Sequence, residues 1–222
     1  MNNGKLFKKQ LKTEKINRVF KNKNDNSNLN EYNNIYNNVN NYIKAIALKK
    51  IKKGSIVVDA TVGNGNDILY LLKLIGREGI AYGFDIQDIA IKNTQEKIKI
   101  DNNGVVPDNC ILINDGHQFL DKYVNTQVNF IVFNLGYLPK GDHSIITTPT
   151  NTIMAIEKSM KILKKNGCIC IATYLSHKGG MDEYDAVMDF LKQVKQEEFN
   201  ISKIEFINQR NNPPVLFLIE KR

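Results

Sequence analysis

"ISKIEFINQRNNPPVLFLI", residues 201–219, holds two apolar runs, Ile201–Ile207 and Val215–Ile219, joined only by "NQRNNPP". A link that short permits an antiparallel hairpin and excludes a parallel crossover. Upstream the pattern changes. Strand-like runs at Ile56–Ala60, Ile80–Asp85, Cys110–Ile113, Val128–Phe133 and Cys168–Thr173 alternate with helical spacings. Those spacings join Ile153, Ile156, Met160 and Leu163, and again Val187, Phe190, Leu191 and Val194. Strands alternating with helices predict parallel βαβ units with right-handed crossovers. The expected fold is therefore α/β: a Rossmann-like doubly wound sheet of seven strands, mostly parallel, with an antiparallel last strand.

That architecture is the one class I methyltransferases use, and ordinary dehydrogenases lack the final hairpin. The 222 residues, 42% hydrophobic, suit one domain with a sizeable core. No run approaches ~18 consecutive apolar residues, so no membrane span is expected. Cys110, Cys168 and Cys170 sit inside apolar runs without CxxC or histidine spacing. They read as core residues in a reducing, cytoplasmic protein, and no metal site is expected. Charge is uneven. Residues 1–23 carry eight Lys/Arg against one Glu, a net +7 of the chain's +8. Eleven of residues 22–41 are Asn. Such a stretch cannot bury enough apolar surface to fold, so 1–38 reads as a disordered basic tail and 39–222 as the domain. The tail is a passive extension, an RNA-attracting arm or a targeting segment.

Parallel strands place their C-terminal ends on one edge, where ligands bind. The first strand leaves through "DATVGNGND", residues 59–67, a glycine turn that opens a helix. Gly63 and Gly65 let the backbone turn sharply and approach a ligand. The third glycine of a dinucleotide fingerprint is missing, and Asp67 at the helix start would repel a pyrophosphate. A ligand without phosphates, such as S-adenosylmethionine (SAM), fits better than NAD. Asp85 ends the second strand, where a carboxylate accepts both ribose hydroxyls, with Gln87 placed to help. Asp115 and His117 follow the third strand and would border the adenine; His117 is equally readable as a cap. Asp59, closing the first strand, is counted among the cofactor contacts.

The fourth strand leaves through "FNLGYLPKGDHSI", residues 133–145. Amino-group methyltransferases commonly use Asn/Asp-Pro-Pro-aromatic there, and Asn134-Leu135-Gly136-Tyr137 keeps the first and fourth positions. The Asn134 oxygen and a backbone carbonyl would hold an amine's hydrogens, so that its lone pair faces the methyl donor. Tyr137 offers a ring for a base to stack on. Asp142 is either the proton acceptor or a helix cap. His143 and His177 are loop residues that are either solvated or in contact with substrate. Lys140, Lys178 and Arg210, with Asn208 beside the last, lie on three loops of that edge and could meet phosphates.

"VVDATVGNGND", "GFDIQ", "FNLGYLPKGDHSI", the Gly179-Gly180 pair, "INQRNNPP" and "IEK" make the chain similar to the rRNA methylase family over about residues 42–221. One activity associated with that family methylates the aminomethyl group of 5-aminomethyl-2-thiouridine at the tRNA wobble position. The resemblance implies SAM as cofactor and Asn64, Asn66, Asp85, Gln87 and His117 as its contacts. It also implies the tRNA anticodon stem-loop as partner; a homodimer is one assembly the sequence permits. Two departures stand out: Ser176-His177 replaces the usual Gly-His pair, and residues 1–40 have no counterpart. Other readings remain: an rRNA or other amine methyltransferase, an NAD(P) oxidoreductase, or a non-catalytic RNA-binding module. The oxidoreductase lacks its third glycine, and a mere binder has no use for the N-x-x-Y turn.

Overall fold

The computed structural model describes residues 38–136, 138 and 146–222. The expected tail lies outside them apart from Asn38, as do Tyr137, Lys140, Asp142 and His143. Helix α1 (Val39–Lys50) opens the described domain, capped by Asn38, whose side-chain oxygen accepts the Asn41 N–H at 3.0 Å. Then follow β1 (Ile56–Asp59), α2 (Asn66–Ile75), β2 (Ile80–Phe84), α3 (Asp88–Asp101) and β3 (Cys110–Ile113). The second half comprises α4 (Leu120–Tyr123), β4 (Val128–Leu135), α5 (Pro149–Ile162), β5 (Leu163–Thr173), α6 (Gly180–Lys192), β6 (Phe199–Ile204) and β7 (Val215–Lys221).

The strands form one sheet in the order β3-β2-β1-β4-β5-β7-β6. The first five pair in parallel, while β7 is antiparallel to both β5 and β6. The expected fold is thus present, with β7 inserted between β5 and β6. Strand order reverses between β1 and β4, which opens a crevice at their C-terminal ends.

Alternation along each strand feeds two cores. Ile131 and Phe133 of β4 join Ile169, Ile171, Ala155, Ile156, Val187 and Leu191 on the face covered by α4, α5 and α6. Phe130 and Val132 join Cys168, Cys170, Ile43, Ala47, Ile68, Leu71 and Ile98 on the face covered by α1, α2 and α3. Burial on both faces explains why the central strands read as continuous apolar runs. All three cysteines are free and buried.

Boundaries moved where pairing across the sheet overrode local pattern. Leu163 begins β5 instead of ending a helix, because it pairs with Val128 across a bulge. β6 starts at Phe199, paired with Lys221, and stops at Ile204, leaving Ile207 97% exposed in the connecting loop. Among the described residues no helix is long and apolar enough to cross a membrane.

Candidate active site

At the β1/β4 crevice lies a cavity of about 800 Å³, within the range of small-molecule sites. Gly63, Asn64, Asn66, Asp85, Gln87, His117, Asn134 and His177, all singled out in the sequence, line it. One wall is the turn between β1 and α2. The Gly63 N–H donates to Asp85 Oδ2 at 3.0 Å, and the Gln87 N–H donates to Oδ1 at 2.9 Å. Burial raises the pKa of Asp85, and those two N–H bonds hold the rise back. Each oxygen keeps a second acceptor site for a ligand hydroxyl.

Gly65 makes the sharp turn expected of it but not the approach to the cavity. It does not line the cavity but caps α2 at φ 73°, and a Cβ there would lie 2.8 Å from Thr94 Oγ1 of α3. Thr94 in turn donates to the Gly63 carbonyl at 3.0 Å. The glycine is needed for close helix packing, which fixes the turn from behind. Asp59 also lies off the wall. It is 1% exposed and accepts the Thr61 N–H at 3.2 Å, bracing the turn from beneath. Burial, then the nearby Asp67 charge, pushes its carboxyl well above the usual range.

His117 borders the cavity as expected, 8% exposed. Its Nδ1 lies 3.2 Å from the Ala60 carbonyl, and its ring meets Phe133 edge-on. Burial drops its pKa to about 4, so the ring is neutral at pH 7. A carbonyl only accepts, so Nδ1 carries the proton and Nε2 is an acceptor. Asp115 departs from expectation. Its oxygens accept the Gly116 N–H at 2.7 Å and the Tyr123 hydroxyl at 2.8 Å, which turns it away from the wall.

Asn134 stands at the end of β4. Its backbone N–H donates to Thr61 Oγ1 at 2.8 Å, and its side-chain NH₂ donates to Asp67 Oδ2 at 2.7 Å. The Tyr174 hydroxyl donates to Asn134 Oδ1 at 3.3 Å. Two residues on, Gly136 is clamped: its N–H donates to Thr147 Oγ1 at 2.8 Å, and its carbonyl accepts the Thr147 N–H at 2.9 Å. Thr147 and Thr152 both donate to the buried Glu183 carboxylate at 2.6 Å. Burial raises the Glu183 pKa against those two bonds.

His177 packs its ring against Gly136 and Gly180, with Nδ1 3.0 Å from the Lys178 carbonyl. Ser176 donates to the carbonyls of Asn211 and Asn212, tying the β5–α6 loop to the β6–β7 loop. Lys178, Asn208 and Arg210 are exposed and do not line the cavity. They ride on these two loops at its outer edge, where long side chains reach solvent instead of the pocket. Sequence reasoning missed Asn40, Asn41 and Lys44 of α1, Thr61, and Tyr174, all of which line the cavity. The α1 signal was hidden in the asparagine run; Tyr174 was visible as the aromatic leaving the fifth strand. Among the described residues no group of three or more His, Cys, Asp or Glu could hold a metal ion.

The arrangement suits a nucleoside bearing no phosphates at the β1–α2 turn, with an acceptor-lined pocket beside it. A family model described as "Putative rRNA methylase" matches residues 81–220. A solved protein of the same description from Clostridium thermocellum is 45% identical, with a TM-score of 0.80, covering 83% of this chain and 98% of that one. A Streptococcus mutans protein solved in complex with SAH, demethylated SAM, is 38% identical with a TM-score of 0.74, covering 82% and 96%. The chloroplastic tRNA (mnm(5)s(2)U34)-methyltransferase of Arabidopsis thaliana is 35% identical over 179 residues. That match takes in 77% of this chain but only 65% of the plant protein's own length.

Proposed function

The chain belongs to the rRNA methylase family as a SAM-dependent methyltransferase domain, and we propose that it methylates the aminomethyl nitrogen of 5-aminomethyl-2-thiouridine at the wobble position of tRNA. One observation carries the reading. Asn134 and Asp85 line the same cavity, so an acceptor suited to an amine shares it with a carboxylate suited to a ribose. The plant relative's name supports the choice of nucleoside.

When bound, SAM supplies an electrophilic methyl on a cationic sulfur. Asp85 would accept the ribose hydroxyls with Gln87 beside it, and neutral His117 would border the base. Asn64 and Asn66, which line the same cavity, would be further contacts for the donor. Asn134 Oδ1 accepts an amine hydrogen and aims the lone pair, which is worth much of the rate in a transfer that depends on alignment. In this reading Tyr137 stacks on the wobble base, and Asp142 takes the proton an alkylammonium must lose before it attacks. Lys140, His143, Lys178, Asn208 and Arg210 meet the phosphates of the anticodon stem-loop. A cytoplasmic location, like the tRNA partner, is part of the proposal.

Nucleoside mass analysis of RNA from cells lacking this chain tests it. The expected result is tRNA in which 5-methylaminomethyl-2-thiouridine is replaced by its aminomethyl precursor, one CH₂ lighter. Unchanged tRNA with a methyl missing from an rRNA nucleoside would install the rRNA reading, which the family's description favours.

A further inference from the structure

An asparagine amide has one accepting end and one donating end, and only the first can hold an amine hydrogen. Asn134 sits at a strand end, where nothing in its own sequence neighbourhood decides which end faces the cavity. Asp67 decides it from the first turn of α2, brought alongside because β1 and β4 are sheet neighbours. An ionised carboxylate only accepts, so the Asn134 NH₂ must be the end that meets Asp67 Oδ2 at 2.7 Å. Oδ1 is then left toward the cavity, where the Tyr174 hydroxyl meets it at the longer distance of 3.3 Å. The Thr61 bond to the Asn134 N–H fixes the backbone beneath.

We propose that Asp67 is a positioning residue for methyl transfer: it locks the Asn134 amide with its oxygen toward the incoming amine. The Tyr174 hydroxyl holds that oxygen until the amine hydrogen takes its place. Burial raises the pKa of Asp67, and the Lys44 charge of α1, the Asn134 bond and the Lys97 charge of α3 hold the rise back. Asp59 of β1, beneath the turn, is the neighbouring carboxyl. The inference rests on the reading of Asn134 as the amine acceptor.

The test uses the full chain, SAM, and tRNA from cells lacking the chain. Asp67→Asn keeps the shape but lets the paired amides meet in either sense. Its kcat should fall about 10- to 100-fold, the cost of a misaligned nucleophile, with SAM Kd and RNA KM within about twofold of wild type. The exchanged pair, Asp67→Asn/Asn134→Asp, again has one donor facing one carboxylate and presents an accepting oxygen to the amine. It should recover at least about tenfold over either single variant, as a coupled pair does. Asn134→Asp alone sets two carboxylates against each other and should be the least active.

Three results would overturn the proposal: wild-type kcat in Asp67→Asn, a loss of SAM affinity matching the loss of activity, or an exchanged pair no better than the singles. Wild-type chain inactive on this tRNA would instead sink the functional reading.

Discussion

Replacing His117 with Asn separates the ring's packing from its titration. The amide can still donate toward the Ala60 carbonyl, where Nδ1 now lies at 3.2 Å, but it carries no titratable proton. Burial lowers the His117 pKa from 6.5 to about 4, so the unfolded chain takes up a proton in a range where the folded chain refuses it. Its contribution to stability is therefore complete above about pH 6.5 and drains away as pH falls toward about 4. Between about pH 7.5 and pH 5 the loss amounts to about 2 kcal/mol, from the proton the unfolded state alone binds. The carboxyls of Asp59, Asp67, Asp85 and Glu183, all raised mainly by burial, work the other way and stabilise the fold as pH falls through their folded values. They are common to both proteins and cancel in the comparison. Urea unfolding of wild type and His117→Asn at the two pH values reads the difference. At the higher pH the variant should be less stable, having lost the edge-on contact with Phe133. At the lower pH that gap should shrink by about 2 kcal/mol. A gap that stays constant would mean the imidazole titrates normally in the folded state and is not the buried neutral ring described above.

Asp85→Ala should weaken SAM binding by about 1.5–3 kcal/mol by calorimetry, the range for a lost bond to a charged group; tight NAD binding in its place would remove the cofactor assignment. Gly65→Ala places a Cβ at φ 73° and 2.8 Å from Thr94 Oγ1, so urea unfolding should show a loss of about 1–3 kcal/mol. A loss below about 0.5 kcal/mol would show that the α2–α3 packing is not tight. Asn134→Ala should cut single-turnover methylation by about two orders of magnitude or more while sparing SAM affinity; equal loss of both would make it a cofactor contact. Deleting residues 1–37 should leave SAM binding intact and weaken RNA capture most at low salt, since eight of the chain's Lys and Arg lie there. RNA affinity unchanged across salt would mark the tail as passive.

Features that depend on local spacing were legible in the chain. Alternating strands and helices, the short link before Val215 and the carboxylate at the end of β2 all act within a few residues. Together they located the crevice edge and several of the residues that line its cavity. What stayed hidden are contacts set by sheet order. Asp67 and Asn134 are 67 residues apart, and Thr61 and Asn134 are 73, so no periodicity joins them. Asp67 read as a helix N-terminal acid, which it also is. Glu183 was not singled out at all, although it anchors Gly136 through Thr147, 36 residues away. The α1 residues Asn40 and Asn41 were masked differently, by an asparagine run whose composition does not show where a helix begins. Asp59, Gly65 and Asp115 were singled out in segments that leave the right strands but do not line the cavity: the first two brace the β1–α2 turn, and Asp115 accepts from Gly116 and Tyr123. A strand end presents some side chains outward and turns others back, and sequence does not say which.

The carboxyls around this cavity share one physical peculiarity: burial raises each pKa, so each costs free energy to keep ionised. Each is matched to donors that must stay in place. Asp59 holds the Thr61 N–H, Asp85 the N–H groups of Gly63 and Gln87, Asp67 the Asn134 amide, and Glu183 the hydroxyls of Thr147 and Thr152. An anionic cofactor would meet Asp67 at the N-terminus of α2, where a pyrophosphate otherwise finds its best site, and would be repelled. A sulfonium donor carries positive charge and gains from the same field. The acids that organise the backbone thus also set a field at the N-terminus of α2 that opposes a pyrophosphate and suits a cationic donor.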